Sequence, residues 1–263
     1  THPESRGTFW ALGTDISFTV SGTVGSRGVA SSVGTAMFAG DMVISGTLAA
    51  LGGFSSALYH ENPVSPFTSP VASGDNAIAM GSESTATGDD SVVGGGSKNK
   101  TTVAGATIAG GRLNTGSAIG VAIGGGLENV ASDDYATIGG GGGNDASATY
   151  FTIGGGLQNT GSAVSSYGTI AGGRNNHVRG TYSALVGGNN NWIDGTSTFI
   201  GGGSNNTGSG DVGVIVGGTR NCLGSAAGYT FIGGGYENSS SGDYAFIGAG
   251  RDNSAHGTNS IVV

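Results

Sequence analysis

Six tyrosines in this chain fall on one beat: Tyr135, Tyr150, Tyr167, Tyr182, Tyr229 and Tyr244 lie fifteen or seventeen residues apart, with a gap of three such steps between Tyr182 and Tyr229. An aromatic ring offers a flat, electron-rich face, and the C–H face of a sugar can stack on it. Tyr135, Tyr150, Tyr182, Tyr229 and Tyr244, together with Trp192, are therefore the candidate receptor or glycan contacts, expected as a single aromatic stripe. The plainer reading is that aromatics on one face of consecutive repeats pack only on each other.

Other residue types point away from catalysis. Glycine-rich phrases can cradle phosphate, but that chemistry needs one glycine loop between a strand and a helix, and here the phrase returns twelve times. Calcium-binding β-rolls repeat an aspartate, whereas the residue repeated here is asparagine, whose neutral amide is a poor sole ligand for a hard cation. Glycan cleavage would need two carboxylates about 5–9.5 Å apart across a cleft. Glu83, Asp89, Asp90, Asp133 and Asp134 are scattered and read as solvated turn residues. His2, His60, His177 and His256 have no ligand spacing, and the single cysteine, Cys222, has no partner for a disulfide. No catalytic, cofactor-binding or metal-ligating residue is expected, and the chain is read as a non-enzyme. Asn99-Lys100-Thr101, Asn205-Asn206-Thr207 and Asn238-Ser239-Ser240 match the glycosylation acceptor pattern, as an Asn- and Ser-rich chain does by chance.

The tyrosines are carried by a repeat. Its phrase is clearest at Thr152-Ile153-Gly154-Gly155-Gly156-Leu157-Gln158-Asn159. The branched apolar anchors are Ile78, Val93, Ile108, Ile123, Ile138, Ile153, Ile170, Leu185, Ile200, Ile215, Ile232 and Ile247, with Val262 opening another copy. Steps are fifteen residues, except for seventeen from Ile153 to Ile170 and from Ile215 to Ile232. Glycine stands three residues past every anchor, and asparagine stands six past all but the first, where Ser84 replaces it. Such a period marks an array in which each copy is one structural unit.

Glycine at 57 of 263 residues would suggest low complexity, yet a disordered tract has no reason to hold this beat. Interior glycines cost a helix about 1 kcal/mol each, so the array is expected to be strands and turns. In Tyr244-Ala245-Phe246-Ile247 the anchor and the residue two before it point one way, and the tyrosine and Phe246 point the other. Asn114, Asn129, Asn144, Asn159, Asn176, Asn191, Asn206, Asn221, Asn238 and Asn253 are expected to form a turn ladder, each bonding its own turn and stacking on the next. The two longer steps are expected to bulge in the return turn, near Ser165-Ser166 and Ala226-Ala227. At about 4.8 Å per coil, twelve steps make a rod on the order of 58 Å long.

Ahead of the array, residues 1–57 read as a small β segment for attachment, with Asp15 to Val20 alternating polar and apolar residues. Residues 58–74 carry Pro63, Pro66 and Pro70 and read as an extended linker, leaving 75–263 as the array. The net charge of −8 gives no basic footprint for nucleic acid, and no apolar run is long enough to span a bilayer.

Burying one aliphatic side chain contributes about 1.5–3 kcal/mol, while ordering fifteen residues costs on the order of 15 kcal/mol. With one large anchor per copy, more than one chain is expected to share the core.

The fifteen-residue period with its branched residue and glycine turn, as in Ser91-Val92-Val93-Gly94-Gly95-Gly96 and Asn259-Ser260-Ile261-Val262-Val263, resembles the head repeats of trimeric autotransporter adhesins. It is equally similar to the repeats of phage tail fibres and spikes. The resemblance covers 76–263 and implies an all-β, trimeric, left-handed parallel β-roll, a β-solenoid of fifteen-residue coils after a small N-terminal β segment. It implies that Ile108, Ile123, Ile138, Ile153, Ile170, Leu185, Ile200, Ile215, Ile232 and Ile247 meet at a shared trimer core. Arg112, Arg174, Arg220 and Arg251 are then expected to keep the trimer soluble. Phe38-Ala39-Gly40-Asp41-Met42-Val43-Ile44-Ser45-Gly46-Thr47-Leu48 is similar to segments of marine-phage fibres, which turns the expectation toward a virion. The expected role is a structural fibre that attaches to a host, with partners in itself, in other virion proteins through the N-terminal segment, and in a host-surface glycan or protein. A bacterial surface adhesin head and a polysaccharide-degrading tailspike are the alternatives.

Overall fold

A computed structural model describes residues 11–12, 15–16, 70–225 and 228–263. The chain divides into two units, Thr1–Gly52 and Gly53–Val263. In the first, Ala11–Leu12 pairs antiparallel with Asp15–Ile16. The rest of the expected N-terminal β segment and most of the linker lie outside the described residues.

The second unit is a parallel β-solenoid, and no described residue is helical. Each coil contributes one two-residue strand to each of two 13-stranded sheets, and each strand pairs only with its counterparts in the coils before and after. Sheet I holds the anchor strands, such as Thr137–Ile138 and Thr152–Ile153, in register Ile138↔Ile153. Sheet II holds the strands after the asparagines, such as Asp145–Ala146 and Thr160–Gly161. A third column of parallel bridges runs along the glycine corner, through Gly142↔Leu157 and Leu157↔Arg174.

Along both sheets an N–H of one coil donates to a carbonyl of the next, as Gly139 N–H does to Ile153 O at 2.8 Å. The direction reverses at two corners. Gln158 and Tyr150 have φ of 56°, and their N–H groups donate back to Gly142 O at 2.8 Å and Asp134 O at 3.0 Å in the preceding coil. Non-glycine residues are uncommon in this left-handed region, yet the array uses it at both corners of nearly every coil, because only that backbone aims the N–H at a free carbonyl. At Gly156, φ is 96°, and a Cβ would collide with Gly173 O in the next coil, so glycine is required there twice over.

The interior corrects the expected trimer core. Ile108, Ile123, Ile138, Ile153, Ile170, Leu185, Ile200, Ile215, Ile232 and Ile247 are sealed within the single chain, each no more than 1% exposed. The reason is that the anchor is not alone. In one coil Ala136, Ile138, Asn144, Ala146 and Ala148 all point inward and all are 0% exposed. Sheets I and II lie close enough for small residues and an amide to fill the space between them, so a coil closes with one large aliphatic side chain.

Interior volume is balanced between neighbouring positions. Phe151 occupies an inward position usually held by Ala, Ser or Thr, and its ring fills the space where a Cβ on Gly161 or Gly168 would stand. Two inward hydroxyls bond the next coil, Ser183 Oγ donating to Gly195 O at 2.8 Å and Thr198 Oγ1 to Gly210 O at 2.6 Å, whereas those of Ser91, Thr230, Ser240 and Ser260 have no partner.

Two boundaries move. Ile78 is not the first anchor: the register pairs Ile78↔Val92 and Ala79↔Val93, so Ala79 faces inward and Ile78 outward. Only Met80 separates Ala79 from Gly81, where Gly94 and Gly95 separate Val93 from Gly96, and this one-residue deletion shifted the first copy. The solenoid also begins before residue 75, because Val71–Ala72 is already a sheet II strand paired with Thr85–Ala86. Gly161 pairs with Val178 and Ile153 with Ile170, which places the first two-residue insertion between Gly161 and Ile170, where Ser165-Ser166 was expected to bulge. Ala226 and Ala227 lie outside the described residues.

Candidate functional site

In the described coils the large polar and aromatic side chains that could meet a partner sit on the outside, in rows set by the repeat. The asparagines are the internal counterpart. From Asn114 to Asn253 each backbone N–H donates to the Oδ1 of the asparagine one coil earlier, the first to Asn99; Asn144 does so to Asn129 at 3.0 Å. Asn144 Nδ2 donates to Gly140 O at 2.9 Å and to Gly156 O at 3.1 Å, so its amide closes its own turn and holds the next coil. Asn114, Asn129, Asn144, Asn159, Asn176, Asn191, Asn206, Asn221 and Asn238 are fully buried, and Asn253 is half-buried at the end of the column. Burial also removes the Asn99 and Asn238 amides from any glycosyl transfer, while Asn205 is exposed and bonds Asn190 at 2.6 Å.

The tyrosines occupy one corner row. Tyr135, Tyr150, Tyr167 and Tyr182 stack with centroids 5.0, 5.2 and 5.3 Å apart, and Tyr229 stacks on Tyr244 at 5.1 Å. Within each run the ring faces are consumed by one another, so only edges and hydroxyls remain outward. The unstacked faces are those at the ends of the runs. Beyond Tyr182 the row continues with Ser197 and Val212 before Tyr229, and Tyr182 and Tyr229 are among the most exposed rings, at 63% and 60%.

Trp192 does not share this stripe. It lies on the outer face of sheet II, in register with His177, and the two rings stack at 4.5 Å. The single stripe expected from the sequence is thus two rows, because residue 192 falls in the strand after the asparagine rather than at the return corner. Two residues on, on the same outer face, Arg179 Nε lies 3.6 Å from Asp194 Oδ1. Burial beside the indole pushes the His177 imidazole below its ordinary value of 6.5, since desolvation disfavours the charged form. His177, Arg179 and Asp194 were missed in the sequence. The available signal was that these coils break a face that elsewhere carries mostly Ser and Thr, as at Thr160 and Ser162 or Thr207 and Ser209.

A second cluster uses the glycine corner. Arg220 and Arg251 approach the Tyr236 ring at 5.7 and 5.2 Å, and Arg220 Nη1 donates to Tyr236 Oη at 2.7 Å and Glu237 Oε1 at 2.8 Å. The Arg220 hydrogen bond holds the Glu237 carboxyl below the usual range. These charges are engaged with each other. Cys222 is half-buried on sheet II, and burial pushes its thiol up.

A further continuous feature, also missed, is the outer face of sheet I. Its outward positions immediately before and after the inward residue run Ile78, Val92, Thr107, Ala122, Thr137, Thr152, Thr169, Ala184, Phe199, Val214, Phe231, Phe246 and Ile261, flanked by Met80, Ala109, Ala171, Val186, Val216, Val263 or glycine. None carries a charge or an amide. Phe231 and Phe246 stack at 5.1 Å on this face, and Val186 and Val216 are each 49% exposed. The outer face of sheet II, by contrast, carries Lys100, Asp145, Arg179, Asp194 and His256.

Among the described residues no three His, Cys, Asp or Glu side chains converge as metal ligands, and no helix is long and apolar enough to cross a membrane. No protein-family model matches the chain, and no curated protein matches it.

Proposed function

We propose that this chain is a non-enzymatic structural component of a phage fibre, a rigid homotrimeric shaft or receptor-facing head that serves host attachment. The observation that carries the reading is the uncharged outer face of sheet I, apolar or small along all 13 strands. Exposed apolar side chains gathered on one face, as at Val186, Phe199, Val216 and Phe246 beside the half-buried Phe231, mark an interaction site. A face that repeats with the coil is matched best by the same face of another copy in register. Three copies around one axis, the number implied by the resemblance to adhesin and fibre repeats, bury three such faces and leave the sheet II faces and tyrosine corners outward. The trimer interface therefore moves from the anchors to the residues beside them.

Placement on a virion rests on the likeness of Phe38–Leu48 to phage fibre segments, with residues 1–57 attaching to other virion proteins. Each outward contact would then be present in triplicate, so that avidity supplements weak single-site affinity. Multi-angle light scattering on the full chain is expected to return three times the chain mass of 25.4 kDa. A stable monomer at micromolar concentration would refute the reading.

A further inference from the structure

The interruption of the tyrosine row coincides with the break in the Ser/Thr pattern of sheet II. Both fall on the coils that follow Ile170, Leu185 and Ile200. Tyr182 meets another ring only on its Tyr167 side and Tyr229 only on its Tyr244 side, and the next row position beyond Tyr182 is Ser197 while that before Tyr229 is Val212. Their other faces look along the rod toward each other across Ser197 and Val212, three coil steps or about 15 Å apart. Beside this opening, Trp192 stacks on His177 in one direction and is followed along the row by Thr207. The Arg179–Asp194 pair, with both side chains exposed, occupies the row between Trp192 and the Tyr182–Ser197 corner.

We propose that this opening, bounded by Tyr182, Tyr229 and Trp192, binds a neutral oligosaccharide, resting on the attachment role proposed above. Aromatic faces carry negative charge density and accept the C–H faces of pyranose rings at either end of the opening. Ser197 and the exposed Arg179 and Asp194 can meet sugar hydroxyls as donors and acceptors. Ser197 and Val212 are the two row positions between the faces, and Ser197, next to Tyr182, is the small one. Charge decides between glycan classes. Arg179 is already paired with Asp194, the Asp211 carboxylate lies one coil further on, and the chain carries −8, so an acidic glycan would be repelled. Elsewhere along the described tyrosine row, stacked rings leave no two opposed open faces.

The test is a printed array of neutral and acidic oligosaccharides probed with the purified full chain, with light scattering on the same sample. The wild type is expected to capture neutral glycans and no acidic ones. Tyr182→Ala and Trp192→Ala are each expected to weaken capture by about tenfold, while Tyr135→Ala, at the far end of the row, leaves it unchanged. Ser197→Tyr is the sharper variant. Residue 197 has φ of 55°, close to that of its tyrosine neighbours, so a ring there continues the stack, fills the opening and abolishes capture while Tyr182, Tyr229, Trp192, Arg179 and Asp194 all stay in place. The proposal is overturned by capture of acidic glycans only, by no capture at all, or by capture that survives Ser197→Tyr. A trimer that captures nothing defeats the glycan site and leaves the fibre reading standing. A monomer that captures neutral glycans does the reverse.

Discussion

At the scale of single residues, the interior is held by fit rather than by bulk. The Asn144 amide makes contacts that neither a shorter nor a charged side chain can reproduce, binding Gly140, Gly156 and Asn129 at once. Asn144→Ala is expected to destabilise the array by about 1–3 kcal/mol for each buried partner left unpaired, read from the urea midpoint. Asn144→Asp is expected to cost more, because it replaces a donor with a buried charge facing two carbonyls. Gly161 tests the same principle from the apolar side. A methyl there overlaps the Phe151 ring, so Gly161→Ala is expected to cost about 1–3 kcal/mol. Combining it with Phe151→Leu should recover part of that loss, and the interaction term of a double-mutant cycle measures how much. Additive losses would show that the ring and the glycine do not share one space.

At the scale of the coil, strand positions were legible because a period-2 alternation around each anchor leaves only one choice of face. The asparagine turn was legible because glycine and asparagine at fixed offsets demand it. What the sequence hid was the second wall. Ala146 and Ala148 are too small to announce a core, yet with Asn144 they complete the enclosure that the anchor alone could not. Counting only the one large aliphatic residue per coil as core leaves these alanines out of the interior, and that displaced the trimer core. The Ile78 misplacement has a simpler origin, since the one-residue deletion puts the strand's branched residue on the outer face and alanine on the inner one, which only the pairing reveals. Trp192 was assigned to the tyrosines because both are aromatic, although its offset from Leu185 already set it on sheet II. Its contact with His177 gives a measurable consequence. With the imidazole held below 6.5 by burial, His177 stays neutral to lower pH than a free histidine and then charges against the indole. In a Trp10→Phe background, Trp192 emission is expected to be quenched with a midpoint below about 6.5, and the step should vanish in His177→Gln. The sign for stability follows. The folded state binds this proton less readily than the unfolded chain, so the His177 contribution is present above the unfolded value and is lost as pH falls through the folded one.

At the scale of the whole molecule, a solenoid sealed along its length still has one unsettled side. Sheet II faces water with Ser, Thr and charged residues, whereas sheet I shows water mostly glycine, alanine, valine, threonine and phenylalanine. If the sheet I face is the seam between three copies, a single charge placed there is repeated three times around the axis. Repulsion and desolvation then act together, since an unpaired charge in such a seam is costly. Phe231→Asp is expected to shift the light-scattering mass from trimer to monomer, and Val216→Lys, two coils from the Phe246 position, to do the same with the opposite sign of charge. Thr160→Asp, on the outer face of sheet II, is the control expected to leave the trimer whole. Because the anchors are sealed within each chain, the separated monomers should keep the β-sheet circular dichroism of the parent. Loss of fold together with loss of association would mean that the coils cannot stand without their neighbours, and trimers that tolerate both sheet I charges would place the contact on another face.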